Sequence, residues 1–187
     1  MVPFKNKHVL GIVGSPRRGG NTETLVDTII ASATEQGAIS EKVILNELKI
    51  SPCQACNRCQ RTGSCIHDDD MNELIPLMER SDVWILGTPI YWWGPTAQFK
   101  LFIDRWYGIN QHIFQGKQII AAIPMGGGNE QYARHTIGMI KDICNYLGMK
   151  YTETVVAPGM NGFGSVREST RVIESARAVG MRIMKAL

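Results

Sequence analysis

Short apolar stretches alternate with helical patterns along this chain, and this alternation restricts its fold more than any other feature. His8–Val13 is mostly apolar and is followed by Gly14, which is typical of a buried parallel strand. Further strands are predicted at about 39–45, 83–86, 118–123 and 151–157, and helices at about 21–36, 68–80, 95–107, 130–147 and 166–186. Pro76 is expected to kink or split the second helix. Five strands alternating with five helices predict an α/β fold with a parallel sheet covered on both faces.

The composition is that of one globular domain, 1–187. The 187 residues are 44% hydrophobic and 20% charged, and no stretch approaches the roughly 20 apolar residues of a membrane span. Residues 1–8 contain no charged head followed by an apolar run, so no secretory signal is predicted and a cytoplasmic location is expected. The net charge of +3 is spread along the chain without a basic block, which does not favour nucleic-acid binding.

The loop after the first strand has the residue types of an anion site. It contains three hydrogen-bond donors, two cations and two glycines, namely Ser15, Asn21, Thr22, Arg17, Arg18, Gly19 and Gly20. A predicted helix follows directly, and the dipole at its N-terminus favours negative charge. Neither a Walker A sequence nor a dinucleotide-binding Gly-x-Gly-x-x-Gly is present, so a monophosphate ligand is predicted. The alternative is that these residues only form turns and cap the helix.

This loop resembles the Gly-Ser-x-Arg-x-x-Gly/Ser-Asn-Thr loop of the flavodoxin-like NAD(P)H-dependent FMN reductases. The matching residues are Gly14, Ser15, Arg17, Gly20, Asn21 and Thr22. The resemblance implies a three-layer flavodoxin-like fold whose five-stranded parallel sheet has the strand order 2-1-3-4-5. It also implies that FMN is the cofactor, with its phosphate held by Ser15, Arg17, Gly20, Asn21 and Thr22.

Two further loops are candidates for binding the flavin ring. The segment 87–95 matches the same family, as do Phe99, Lys100, Asp104 and Arg105. Its amides and aromatic rings can contact a ribityl chain and a flat ring, and the glycines at 126–128 let the backbone pass close by. The candidate residues are Thr88, Pro89, Ile90, Tyr91, Trp92, Trp93, Gly94, Gly126, Gly127 and Gly128. For the aromatic residues, core or subunit-interface packing is the alternative. Lys100, Asp104 and Arg105 are interpreted as structural or oligomer contacts.

Four cysteines form the compact run Cys53-x2-Cys56-x2-Cys59-x5-Cys65, in a loop inserted at about 50–67. Three close thiolates and a fourth can wrap a cubane cluster. The run resembles the cysteine motif of iron–sulfur flavoproteins, a branch of the same group, which implies that these four residues bind a [4Fe-4S] cluster. Zinc, which prefers two separated cysteine pairs, and a loop without metal are the alternatives. His67 is expected to be a loop residue, 68–70 to cap the next helix, and Cys144 to be a buried hydrophobe.

The resemblance implies an FMN-dependent oxidoreductase that passes electrons from NAD(P)H, or from a reduced carrier such as ferredoxin, to an acceptor. No acid–base residue is assigned, because the flavin carries the chemistry. One alternative is a cluster-free NAD(P)H-dependent reductase of quinones, free flavins, or nitro and azo compounds, whose aromatic loop admits a flat acceptor. Non-enzymatic alternatives are an electron carrier like flavodoxin, which is usually far more acidic, and a zinc-stabilised interaction module. A homodimer or homotetramer is expected from the resemblance.

Overall fold

A computed structural model describes residues 7–184 of the chain. Five strands form one sheet: β1 His8–Val13, β2 Ile39–Ile44, β3 Val83–Gly87, β4 Gln118–Pro124 and β5 Lys150–Ala157. Their order is β2-β1-β3-β4-β5, and all four pairings are parallel. The predicted strand positions and the predicted order are therefore confirmed.

Six α-helices lie within the described residues: α1 Asn21–Glu35, α2 Arg58–Thr62, α3 Met71–Arg80, α4 Ala97–Asp104, α5 Arg134–Leu147 and α6 Thr170–Ile183. Helix α2, in the cysteine loop, is not predicted from the sequence. Short 3-10 turns occupy Arg105–Gly108, Glu130–Ala133 and Ser165–Glu168, which the sequence assigns to continuous α-helix. Thr96 caps α4 by accepting a hydrogen bond from the Phe99 amide at 3.2 Å, which fixes the start of this helix. The predicted end of the last helix, at 186, lies outside the described residues.

Pro76 lies within α3, and the helix continues through it without a split. Proline removes one intrahelical donor, which leaves a carbonyl of the preceding turn without its partner. Pro76 is on the exposed side of the helix, where water can satisfy that carbonyl. Pro76 therefore does not split the helix, and the predicted kink stays a prediction.

Successive side chains along the strands point to opposite faces of the sheet and pack into two hydrophobic layers, as expected for a sheet covered on both faces. On one face, Leu10, Trp84 and Ile119 pack with buried residues of α3, α4 and α5. On the other face, strand residues such as Val9 and Ile85 pack with buried residues of α1 and α6. The predicted three-layer arrangement is confirmed, and it places the loops that follow β1, β3, β4 and β5 together at one edge. Within the described part of the chain, no helix is long and apolar enough to cross a membrane.

Candidate active site

A cleft opens at the carboxyl ends of the strands, beside the point where the strand order reverses. In open α/β sheets this is where ligands bind. Its lining comes from four loops: Ser15, Arg17, Gly20, Asn21, Thr22, Pro89, Ile90, Tyr91, Pro124, Met125, Gly126, Met160, Asn161 and Phe163. All five predicted phosphate-loop residues are part of this lining. The structure thus brings the phosphate loop to the same cleft as parts of both predicted ring loops.

One end of the cleft is suited to an anion. The first amides of a helix have no acceptor within the helix, and Gly20, which precedes α1, has no side chain to supply one. The Arg17 amide donates to Ser15 Oγ at 3.2 Å, which curls the loop. Arg18 instead forms ion pairs with Glu47 and Glu23 and is absent from the cleft lining. Arg17 is therefore the arginine of this loop that faces the cleft.

Glu23, in the first turn of α1, holds the phosphate loop in place from behind. Its buried carboxylate accepts hydrogen bonds from the Gly19 amide at 2.6 Å and from Lys42 Nζ at 2.9 Å. Burial alone would raise the pKa of Glu23, but the hydrogen bonds from Lys42 and Gly19 outweigh it and lower the pKa below its ordinary value. The charged carboxylate therefore ties the loop to β2.

The side chain of Asn21 holds the loop that follows β5. Its Nδ2 donates to the carbonyls of Met160 at 3.1 Å and Gly162 at 2.9 Å, and its Oδ1 accepts from the Val166 amide at 3.0 Å. The sequence predicts this side chain as a direct donor to a phosphate. The structure uses it to position another wall of the cleft and leaves the backbone amide of Asn21 at the anion end.

That wall consists of Met160, Asn161 and Phe163. No pattern in the sequence predicts a role for these three residues. Asn161 packs closely against the glycine-rich loop after β4, because a Cβ atom on Gly126 would lie 2.6 Å from Asn161 Oδ1. Glycine at this position lets the two loops approach each other. Met160, Asn161 and Phe163 come just after the carboxyl end of β5, and this placement is the signal that could have revealed them.

Tyr91 and Gly94 close a tight turn next to the cleft. Each donates its amide to the carbonyl of the other, at 2.9 and 3.0 Å. Trp92 and Trp93 lie at its tip with positive φ angles of 49° and 64°. Turns of this kind prefer Asn and Gly, and a left-handed conformation costs other residues about 1–2 kcal/mol each. Such strain supports the hypothesis of a functional turn.

Trp92 and Trp93 form an aromatic shelf with Tyr132, immediately beside the cleft. The rings of Trp93 and Tyr132 meet edge to face, with centroids 6.1 Å apart. The shelf shares Ile90, Met125 and Gly126 with the cleft lining and adds Gly127. Trp92 is 92% exposed, so it is free to cover a bound molecule.

The four predicted cysteine ligands border one small pocket on the loop 50–67. Cys53 and Cys56 are exposed, and Cys59 and Cys65 are half-buried. Further residues of the pocket include His67, Arg105, Tyr107 and Gly108. Among the residues described, no three His, Cys, Asp or Glu side chains are grouped so as to hold a single metal ion. The structure thus gathers the four thiols around a pocket and does not converge them on one point.

Beneath this pocket, Arg105 and Asp69 form a buried ion pair of 2.6 Å. The same guanidinium donates to the Ser51 carbonyl at 2.9 Å and to Cys65 Sγ at 3.4 Å. Burial alone would raise the pKa of Asp69, but the hydrogen bonds from Arg105 and from the amides of Ser51 and Met71 lower it. Asp69 therefore joins the cysteine loop to the start of α3. Arg105 has the structural role predicted for it.

Comparison with known proteins identifies the family. Residues 8–182 match the family model of the NADPH-dependent FMN reductases. The chain belongs to this family. It is 33% identical to an iron–sulfur flavoprotein of Archaeoglobus fulgidus over 183 residues, which cover 95% of this chain and 79% of that protein. An iron–sulfur flavoprotein of Methanosarcina thermophila is 32% identical over 142 residues, covering 75% of this chain and 74% of the other.

The chain is also similar to solved structures. An NAD(P)H:quinone oxidoreductase from Methanothermobacter marburgensis superposes with a TM-score of 0.76 at 21% identity, covering 96% of both chains. At this identity the likeness shows the fold, which is flavodoxin-like. The family model and the sequence relatives identify the chain as an FMN-dependent oxidoreductase of the iron–sulfur flavoprotein family.

Some of the site residues predicted from the sequence lie outside the cleft. Trp92, Trp93 and Gly127 line the aromatic shelf instead. Thr88 is fully buried, and its Oγ1 donates to the Pro89 carbonyl at 3.1 Å and accepts from the Thr96 amide at 3.1 Å. It shapes the loop from inside. Gly94 closes the turn, and Gly128 borders neither the cleft nor the shelf.

Other predictions concern residues outside the site. The predicted pair of Lys100 with Asp104 is confirmed at 2.6 Å. Cys144 is buried in the core, as predicted, and burial raises the pKa of its thiol to about 11. This thiol is therefore protonated at neutral pH.

Proposed function

We propose that this reductase binds FMN in the cleft, with the phosphate at the loop 15–22 and the ring between the loops 89–91 and 124–126. One observation carries the proposal: the phosphate-loop residues and apolar residues such as Ile90 and Met125 line a single cleft. FMN has the matching shape, with one phosphate at one end and a flat ring at the other. When bound, the flavin supplies hydride and one-electron transfer.

The residues of the chain would then bind and orient the cofactor. Arg17 and the first amides of α1 would neutralise the phosphate. Ile90, Tyr91 and Met125 would cover the ring and keep water from it, and backbone amides near Gly126 would contact its polar edge. These groups position the ring and tune its potential, and no side chain of the chain is needed as an acid or base.

We also propose that electrons come from NAD(P)H or from a reduced one-electron carrier such as ferredoxin, and leave to a quinone-like acceptor or a redox protein. The family description supports the nicotinamide donor. The aromatic shelf supports a flat partner, because its rings stand at the edge of the cleft and offer a stacking surface. A homodimer or homotetramer, a single-domain organisation and a cytoplasmic location stay predictions from the sequence.

The four cysteines fit a [4Fe-4S] cluster, which we propose as a second redox centre. They border one pocket, and a cubane is larger than a single ion, so its thiolates need not converge on one point. His67 Nε2 is buried in the described structure without a hydrogen-bond partner, and His67 borders the same pocket. A buried polar atom of this kind is expected to have a partner, such as a water molecule or a bound group. The cluster would connect the two-electron flavin to one-electron partners.

A cluster-free NAD(P)H-dependent reductase is the second candidate. The exposure of Cys53 and Cys56 favours it, as does the lack of a three-ligand group among the described residues. In this case the flavin and the aromatic shelf would suffice for the reduction of quinones, free flavins, or nitro and azo compounds.

Anaerobic purification followed by absorption spectroscopy and by flavin, iron, sulfide and zinc analysis tests both candidates. FMN together with about four iron and four sulfide per chain would support the first. FMN alone would support the second, and zinc without flavin would contradict both. Cys53→Ser with Cys56→Ser should abolish the iron and keep the FMN, whereas Cys144→Ala, at a buried cysteine outside the pocket, should keep both. Anaerobic oxidation of NADPH or NADH with a quinone then separates an enzyme from a carrier.

A further inference from the structure

We propose that Arg105 is a positioning residue for the iron–sulfur cluster: its guanidinium donates a hydrogen bond to the sulfur of Cys65 and keeps the reduction potential of the cluster higher than it would otherwise be. This inference rests on the proposed cluster and adds a residue that is not among the cysteine ligands. It concerns electron flow between the cluster and the flavin, because that flow depends on the difference between their potentials.

The side chain of Arg105 is only 4% exposed and is held from two directions. One guanidinium nitrogen, Nη1, donates to Asp69 at 2.6 Å and to the Ser51 carbonyl at 2.9 Å. The other, Nη2, donates to Cys65 Sγ at 3.4 Å. The two contacts of Nη1 fix the plane of the guanidinium. Nη2 therefore points at Cys65, a predicted cluster ligand.

The geometry differs from that of an ion pair that serves stability alone. Arginine and a carboxylate commonly form two parallel hydrogen bonds, one from each of two guanidinium nitrogens. Here Asp69 Oδ2 accepts from a single nitrogen of Arg105 and also from the Ser51 amide at 2.9 Å, while Asp69 Oδ1 accepts from the Met71 amide. Both carboxylate oxygens thus have donors without Nη2, and Nη2 donates to the sulfur instead.

A cluster gains negative charge when it is reduced, and this charge is shared with its cysteine sulfurs. Hydrogen bonds to those sulfurs and a nearby positive charge stabilise the reduced form more than the oxidised form, which raises the potential. The effect is strong where water is excluded, as it is around Arg105. Arginine also keeps its charge across the working pH range, so its influence does not depend on pH.

The test compares Arg105→Gln and Arg105→Lys with the control Arg58→Gln, which removes an exposed arginine of the same loop. Redox titration followed by electron paramagnetic resonance gives the cluster potential, and absorption gives the flavin potential. We expect a more negative cluster potential in Arg105→Gln and a smaller shift in Arg105→Lys, which keeps the charge. Iron content, sulfide content and the flavin potential should stay at wild-type values.

The proposal would be overturned if Arg105→Gln and Arg58→Gln have the same cluster potential while the iron content is intact. If the Arg105 variants do not fold, the contact can be tested by pulsed electron paramagnetic resonance. The protein would carry 15N-labelled arginine in an Arg58→Gln and Arg61→Gln background. A 15N coupling to the reduced cluster supports the contact, and its absence overturns it. If the wild-type protein contains no iron and no sulfide, the cluster itself is refuted. Elemental analysis therefore distinguishes a failure of the proposed cluster from a failure of the proposed role of Arg105.

Discussion

Asn21 Oδ1 accepts a hydrogen bond from the backbone amide of Val166 at 3.0 Å, although the two residues are 145 positions apart. The Asn21 amide group also donates to Met160 and Gly162, so one side chain joins the start of α1 to the loop after β5. Asn21 and Met160, which this connection joins, both line the cleft. The position of the wall formed by Met160, Asn161 and Phe163 therefore depends on Asn21.

Asn21→Ala should loosen this wall and weaken FMN binding by about 10–100-fold, because it removes three hydrogen bonds of about 1 kcal/mol each and about 1.4 kcal/mol corresponds to a factor of ten. Hydrogen–deuterium exchange should become faster in 160–166, and fluorescence titration should show the weaker binding. Asn72→Ala, which removes a surface asparagine bonded to Asp68, is the control. Unchanged exchange in 160–166 would contradict this role of Asn21.

Arg17→Gln should weaken FMN binding by about 10–100-fold and leave riboflavin binding unchanged, because riboflavin lacks the phosphate that Arg17 is proposed to contact. The estimate follows from the 1.5–3 kcal/mol of a hydrogen bond to a charged group. Arg18→Gln is the matched control, since Arg18 pairs with Glu47 and Glu23 and does not line the cleft. Equal loss of affinity for FMN and riboflavin in Arg17→Gln would show that the phosphate binds elsewhere.

Glu23→Gln should lower stability at neutral pH, by about 1–3 kcal/mol, because the charged carboxylate accepts hydrogen bonds from Gly19 and Lys42. The pKa of Glu23 is lowered in the folded state, so its stabilisation is complete above the unfolded pKa of about 4.3 and is lost as pH falls through the folded value. Urea unfolding of both proteins from pH 7 to pH 3 should therefore show a difference that shrinks with acid. Glu35→Gln, at the exposed end of α1, controls for the loss of a surface charge. A difference that stays constant with pH would contradict the assignment.

Trp92→Asn combined with Trp93→Gly should stabilise the protein by about 1–3 kcal/mol, because both positions have positive φ and the new residues accept it readily. The same change removes two rings of the aromatic shelf. We expect a higher KM for flat acceptors with normal FMN content, measured by steady-state kinetics and flavin analysis. Tyr146→Ser, which removes an aromatic residue that is 84% exposed on α5, is the control. Unchanged KM values would show that the shelf does not receive the acceptor.

The strands and their order are predictable from the sequence because local signals determine them. β1, β3 and β4 are short apolar runs, and β2 and β5 mix polar with apolar residues. Four of the five strands end near a glycine or proline, and predicted and observed ends agree to within about one residue. The family resemblance supplies the order 2-1-3-4-5, since no pattern in the chain encodes which strands are neighbours. The phosphate loop is predictable for the same reason as the strands, as its residues are contiguous.

The parts that sequence reasoning misses depend on contacts between distant residues. Asp69 and Arg105 are 36 positions apart, and nothing near either residue indicates the partner. Helix α2 is too short to show a periodic pattern. Thr88 looks like a polar loop residue, yet its hydroxyl is turned inward to Thr96. In each case the surroundings of a side chain, which follow only from the folded chain, decide its role.

The cleft has walls from residues that lie far apart in the chain, from Ser15 to Phe163. During synthesis at the ribosome, the strands β1 to β4 emerge before the wall around Asn161 exists. A cleft with all of these walls can therefore form only after residues 160–163 have been made. A chain that stops before them would lack the wall that Met160, Asn161 and Phe163 provide.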